Sequence, residues 1–274
     1  FNGGRVAHPT QHYFARLLKT EELRMVDPVL LQHNHDILSA GSRLGYQICV
    51  LLATLVGGYF IRRDSANWPM SASMRISILM VALIGSMIGC ALPAFFAGGL
   101  VEELSWTTPL TPKTVIGGLF LSYVFVVGFK KLVGNQFDTS DGFAVGAIVI
   151  MAIGRIGCIL QHCCYGRYAA WGMDFGDGVP RVPVQYFEAI ALFALLFFIQ
   201  YIHRRQLFLG RQFFLVFALY GALRFLLEFW REQIAMQWLG IGFYQWLALA
   251  MLATGIIEIF RRSKVPHLTT KDPA

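Results

Sequence analysis

Charged residues are scarce in this chain. They make up 14% of its 274 residues, while 56% are hydrophobic; a soluble domain carries about 25% charged residues. That shortage, together with successive apolar runs of roughly 20 residues, excludes an ordinary soluble domain and predicts a polytopic helical membrane protein. Acidic residues are the scarcer sign, 16 against 23 Lys and Arg, for a formal charge of +7. Basic pairs beside the apolar runs account for that excess, so no nucleic-acid partner is implied. The five cysteines include no CxxC pair, which removes the usual zinc and haem signatures. No linker, shift in composition or internal repeat is visible, so one membrane domain is expected. The missing inverted repeat also speaks against a transporter. Position 1 is Phe rather than Met, so residues upstream are expected and no signal peptide is read here.

Seven apolar segments are present, at about 44–61, 76–96, 115–129, 143–160, 184–202, 212–230 and 243–260. Arg62-Arg63, Lys130-Lys131, His203-Arg204-Arg205 and Arg261-Arg262 follow the first, third, fifth and seventh. The alternate loops carry Glu102-Glu103, Asp174 and Asp177, or the short Arg231-Glu232-Gln233. The positive-inside rule then predicts an all-α protein of seven transmembrane helices, N-terminus outside and C-terminus cytoplasmic. Residues 1–40 form an extracytoplasmic segment, 41–262 the membrane domain and 263–274 a cytoplasmic tail. Apolar spacing over 11–24 predicts a short interfacial helix. His8, His12, His33 and His35 lie in the same segment without metal-ligand spacing. The loop 171–178, rich in Gly and Asp, reads as a turn-rich cover or a plain connection.

Two arginines lie inside apolar segments, where an ionisable group points to function or to a structural ion pair. Arg155 stands thirteen positions after Gly142, and Arg224 thirteen after Arg211. At ~1.5 Å per residue both sit roughly 20 Å into a core about 30 Å thick. At one depth they repel unless an anion lies between them: Glu228, Glu188 or a ligand phosphate. Arg224, Glu228 and Arg231 share one helix face, at i, i+4 and i+7, so an ion-pair ladder between helices is the competing reading.

Four motifs in order resemble the prolipoprotein diacylglyceryl transferase family. They are Ile116-Gly117-Gly118-Leu119; Gly154-Arg155-Ile156-Gly157 with Tyr165-Gly166-Arg167; Pro183-Val184-Gln185-Tyr186-Phe187-Glu188; and Tyr220-Gly221-Ala222-Leu223-Arg224-Phe225 with Glu228 and Arg231. The resemblance implies an enzyme of the bacterial inner membrane acting on phosphatidylglycerol. It would pass the diacylglyceryl group to a cysteine thiol in a prolipoprotein signal peptide. Arg155 and Arg224 are implied to be catalytic. Gly117, Gly118, Gly157, Gly166, Arg167, Gln185, Glu188, Glu228 and Arg231 are implied to bind the substrate. No metal and no diffusible cofactor is implied.

The chain also departs from that family. Ile116 stands where the family has histidine, Cys158 where it has asparagine, Cys163 where it has glutamate, Val182 for a histidine and Phe187 for a tyrosine. Thiol alkylation needs a thiolate, hence a base or a local field, and isoleucine supplies neither. Two readings follow: a working transferase, or a lipid-binding, catalytically degenerate subunit of a larger membrane complex. Cys158, His162, Cys163 and Cys164 form a candidate thiol site. The plainer reading makes the cysteines small buried hydrophobes; a disulfide among them and a metal site of Cys and His, which the spacing does not support, are the other readings.

Overall fold

A computed structural model of the chain describes residues 28–66, 68–96, 114–175, 178–231, 237–238 and 240–263. The chain divides into two units, Phe1–Gly45 and Tyr46–Ala274. Of the first, a helical stretch is described; the expected interfacial helix at 11–24, His8, His12, Glu102 and Glu103 lie outside the described residues.

Apolar runs this long have to satisfy their own backbone hydrogen bonds, and helices do so locally. Seven α-helices are described: α1 Pro28–Ser65, α2 Ala72–Phe96, α3 Val115–Leu132, α4 Asp141–Leu160, α5 Val184–Arg204, α6 Gln212–Glu228 and α7 Phe243–Ser263. Six contain stretches long and apolar enough to cross a membrane: Arg43–Ser65, Ala72–Ala91, Val115–Leu132, Asp141–Leu160, Val184–Arg204 and Phe243–Ser263. The remaining helix, α6, has 17 residues, about 26 Å of helix. It stops at Glu228, short of the expected Trp230, because tighter i→i−3 bonds take over: Phe229 N–H to Leu226 O and Trp230 N–H to Leu227 O.

The architecture is all-helical as expected, with two short hairpins in the connections. β1 Tyr168–Asp174 pairs antiparallel with β2 Pro180–Arg181, and β3 Gln237–Trp238 with β4 Ile241–Gly242. Residues 171–174 of the loop expected at 171–178 are thus part of a hairpin arm. Gly172 allows its backbone to close on Arg181, where a Cβ would lie 2.4 Å from the carbonyl oxygen.

The central helix is α4. Within its apolar window 56% of residues are buried, against 17–33% for the other spans. It contributes Ala144, Val145, Ile148, Val149, Met151 and Ala152 to a core completed by Leu192 and Ile199 of α5, Phe214 and Phe217 of α6, and Met251 of α7. Elsewhere helices meet through glycine, as close packing without a strong hydrophobic drive requires. A Cβ at Gly89 of α2 would lie 2.3 Å from Gly117 O of α3. A Cβ at Gly255 of α7 would lie 2.6 Å from Ala218 N and 2.8 Å from Phe214 O of α6.

One end of the bundle sets the level of the helices. Asp141 at the start of α4 accepts hydrogen bonds from Gly210 N–H (2.5 Å) and Gln212 N–H (2.9 Å). This carboxylate ties the starts of α4 and α6 together. Arg262 at the end of α7 pairs with Asp138, donates to Gly210 O (3.1 Å) and lies 4.4 Å over the Phe214 ring. His203 at the end of α5 bonds Gln212 Oε1 through Nδ1 at 2.8 Å. With α4 and α6 starting from one level, residues equally far along them meet at one height.

Gly255→Leu is expected to destabilise the protein by about 3 kcal/mol or more, since backbone of α6 blocks the added side chain. Gly58→Leu, where a Cβ meets nothing within 4 Å, is expected to leave stability unchanged. Thermal unfolding of the detergent-purified protein, read side by side for the two variants, checks this.

Candidate functional site

At the opposite end of α4 and α6, the two intramembrane arginines meet on one carboxylate. Arg155 Nη2 donates to Glu188 Oε1 at 2.5 Å, and Arg224 Nη1 to Glu188 Oε2 at 3.1 Å. Arg224 Nη2 also donates to Glu228 Oε2 at 3.0 Å. Tyr220 completes the group, its hydroxyl donating to Glu188 Oε1 at 3.0 Å. Glu188 is wholly buried, and Arg155, Arg224 and Glu228 nearly so. Two guanidiniums and two carboxylates make the group formally neutral. Such a set survives in a dry interior because every charge is paired and hydrogen-bonded.

Three helices place these side chains. α4 carries Arg155 in its last turns and α6 carries Arg224 and Glu228, both helices running from the level set at Asp141. α5 starts at Val184 and brings in Glu188 from the near end. Gln185 lies one turn earlier on the same face. It is wholly buried, and both atoms of its amide are without a hydrogen-bond partner among the described residues. Burying an amide unpaired is costly, so Gln185 is a group suited to hold a ligand. Arg231 follows Glu228 by three positions and is half-buried.

The structure therefore brings Arg155, Arg224, Glu188 and Glu228 together. It fills the space between the arginines with Glu188, while Glu228 binds Arg224 from its own helix. The expected ion-pair ladder is present as far as Glu228. Tyr220 was not among the expected site residues. Its spacing could have indicated it, since it lies four positions before Arg224 on the same helix face.

The glycines act through close packing. Gly117 and Gly118 are buried in the first turn of α3; a Cβ at Gly118 would lie 2.5 Å from Cys90 Sγ of α2. Gly157 lies against Tyr46 and Cys49 of α1. A Cβ at Gly166 would lie 2.3 Å from Trp230 O. Gly166 and Arg167 form a strap across the site: Gly166 N–H bonds Val182 O (2.8 Å), and Arg167 N–H bonds Trp230 O (2.9 Å). Ile116 is a core residue.

Beyond α4 the chain turns sharply. Among the five cysteines, all free thiols, Cys158, Cys163 and Cys164 bring their sulfurs within 4.8 Å of one another. Arg155 Nη1 reaches Cys158 Sγ at 3.7 Å. The Cys164 thiol is pulled well below the usual thiol range, first by hydrogen bonds from Cys158 and Cys163, then by the charges of Arg231 and Arg155. Cys163 is pushed up by the same contacts with Cys158 and Cys164. His162 is exposed and packs edge-on to Phe175 (6.2 Å), which also stacks on Tyr165 (5.3 Å). The hairpin after the cysteines thus lies over this turn.

The family model for prolipoprotein diacylglyceryl transferase matches residues 42–261. Among curated relatives, a phosphatidylglycerol–prolipoprotein diacylglyceryl transferase of Geobacter sulfurreducens is 30% identical over 84% of this chain and 93% of its own length. A protein of the same name from the Wolbachia of Brugia malayi is 32% identical over 77% of this chain and 88% of its own length. One from Streptococcus agalactiae is 24% identical over 89% of this chain and 99% of its own.

Neutralising Glu188 would leave two buried guanidiniums short of a carboxylate. Glu188→Gln is therefore expected to cost about 3–5 kcal/mol of stability. The double variant with Arg155→Met is expected to cost less than the sum of the single changes, because they share one ion pair. A double-mutant cycle on unfolding midpoints checks this.

Proposed function

The chain belongs to the prolipoprotein diacylglyceryl transferase family, and from that premise we propose that it binds phosphatidylglycerol and moves its diacylglyceryl group onto a cysteine thiol. The observation that carries this reading is the convergence of Arg155 and Arg224, from different helices, on one buried anion position now held by Glu188. A guanidinium offers five N–H donors in a planar fork. Each arginine therefore retains donors for phosphate oxygens while Glu188 and Glu228 hold it in orientation. Arg231 adds a positive charge that the neutral group lacks, and the Gln185 amide offers a donor and an acceptor to the glycerol hydroxyls.

In the proposed transfer the acceptor sulfur attacks the glyceryl carbon bonded to the phosphate oxygen. The C–S bond forms, the C–O bond breaks, and the electron pair leaves with glycerol phosphate. The thiol proton passes to water or to the departing phosphate. Arg155 and Arg224 stabilise the charge that grows on the leaving oxygens, which is the largest contribution a fixed site can make. The acceptor would be a prolipoprotein signal peptide, and the protein would lie in the bacterial inner membrane. Its N-terminus would be outside and the tail 263–274 in the cytoplasm, as the basic helix ends require. In this layout residues 1–40 precede the membrane domain 41–262.

A second reading, lipid binding without transfer as a subunit of a membrane complex, is favoured by Ile116. It is 1% exposed in the main core and has no acid–base capacity at the position where the family carries histidine.

Purified protein given phosphatidylglycerol and a lipobox peptide is expected to yield the thioether-linked peptide, detected by mass spectrometry. Arg155→Ala and Arg224→Ala are each expected to lower the rate by about 10²–10³. Lysine at either position should recover only part of it, having the charge without the fork. Retained lipid binding with no product would decide for the second reading.

A further inference from the structure

Three thiols at the end of α4 take no part in the proposed lipid chemistry. The Cys-x4-Cys-Cys spacing is not a ligand pattern, but the backbone makes a cluster of it. α4 ends at Leu160, and His162 and Cys164 then adopt left-handed φ values of 51° and 64°. Neither is glycine, so the reversal runs against the ordinary steric preference. Its result is that Cys163 and Cys164 face back toward Cys158 in the last turns of the helix, all three sulfurs within 4.8 Å of one another.

We propose that Cys158, Cys163 and Cys164 form a trigonal thiolate site for one soft, closed-shell cation of the Cu(I) or Zn(II) class. Sulfurs about 2.3 Å from a shared ion lie about 4 Å apart, a separation this cluster reaches with small side-chain rotations. Three sulfur donors select soft cations and reject Mg²⁺ and Ca²⁺, which take oxygen ligands. A disulfide would engage two of the sulfurs and leave the third over, whereas one ion engages all three. Three thiolates around one such cation keep a net negative charge. Arg155, 3.7 Å from Cys158 Sγ, offers one of the sulfurs an N–H donor while its charge is matched by Glu188. The three residues are half-buried rather than sealed in the core. The exposed His162 ring, turned toward Phe175, is not counted as a ligand.

The test uses the full chain, purified in detergent with reductant, stripped with chelator and titrated separately with Zn(II) and Cu(I) against a competing chromophoric chelator. One equivalent per chain is expected, with three sulfur ligands by X-ray absorption, alone around Cu(I) and with a water as fourth ligand on Zn(II). Cys158→Ser, Cys163→Ser and Cys164→Ser are each expected to weaken binding by at least about tenfold. Cys163→His, which replaces one donor by another, should keep the stoichiometry at reduced affinity. Cys90→Ser, whose sulfur packs beside Gly118 between α2 and α3, should bind as the parent does. All variants are compared as monodisperse, folded protein. Less than one equivalent in the parent, or parent-like binding by Cys163→Ser, overturns the proposal. So does protein isolated without reductant in which two of the five thiols are lost to a disulfide within the cluster. Metal binding is read independently of lipid transfer, so failure of one leaves the other standing.

Discussion

The structure depends on keeping two guanidiniums charged inside a layer with almost no water. Arg155 and Arg224 can be buried only because Glu188 lies between them, with Glu228 and Tyr220 completing the bonds. Removing Glu188 leaves Arg155 without a carboxylate, and removing Arg224 leaves Glu228 without a guanidinium, where water cannot replace the partner. That cost ties three helices at one end of the bundle. It also sets the orientation of both guanidiniums, whose remaining N–H donors stay fixed in position.

This arrangement is set up from the far end. Asp141 holds the starts of α4 and α6 at one level through the Gly210 and Gln212 amides. Fourteen residues along α4 and twelve along α6 then bring Arg155 and Arg224 to one carboxylate. A fault at the Asp141 anchor would be felt some 20 Å away, because a helix transmits an axial displacement along its length. Glycine contacts between α2 and α3, and between α6 and α7, keep the remaining helices close enough for the core of α4 to stay covered.

Beside the arginines and Glu188, the turn that follows α4 adds Cys163 and Cys164 to Cys158 of the helix. The left-handed residues His162 and Cys164 fold those cysteines together and place them under the 168–181 hairpin. The arginine–carboxylate group and the cysteine cluster therefore sit side by side at the end of α4, with one helical turn from Arg155 to Cys158. The two are coupled physically, since Arg155 contacts both Glu188 and Cys158.

Much of the fold was legible in the chain, because hydropathy and helix period act locally. The α3 to α5 starts fall within two residues of the apolar runs, and the equal offsets of Arg155 and Arg224 placed them at one depth. The end of α6 was misplaced at Trp230, since a switch to i→i−3 bonding leaves no hydropathy signal. The hairpin over 168–181 was read as a loop because its short strands pair only through a bulge, and their residues do not alternate. Three things were decided by the tertiary structure alone: that Glu188 rather than Glu228 sits between the arginines, that Gln185 is buried without a partner among the described residues, and that three cysteines with no ligand spacing become neighbours. Each depends on how separate helices rotate and how a turn reverses, and those choices are made by packing across the chain rather than by any single segment.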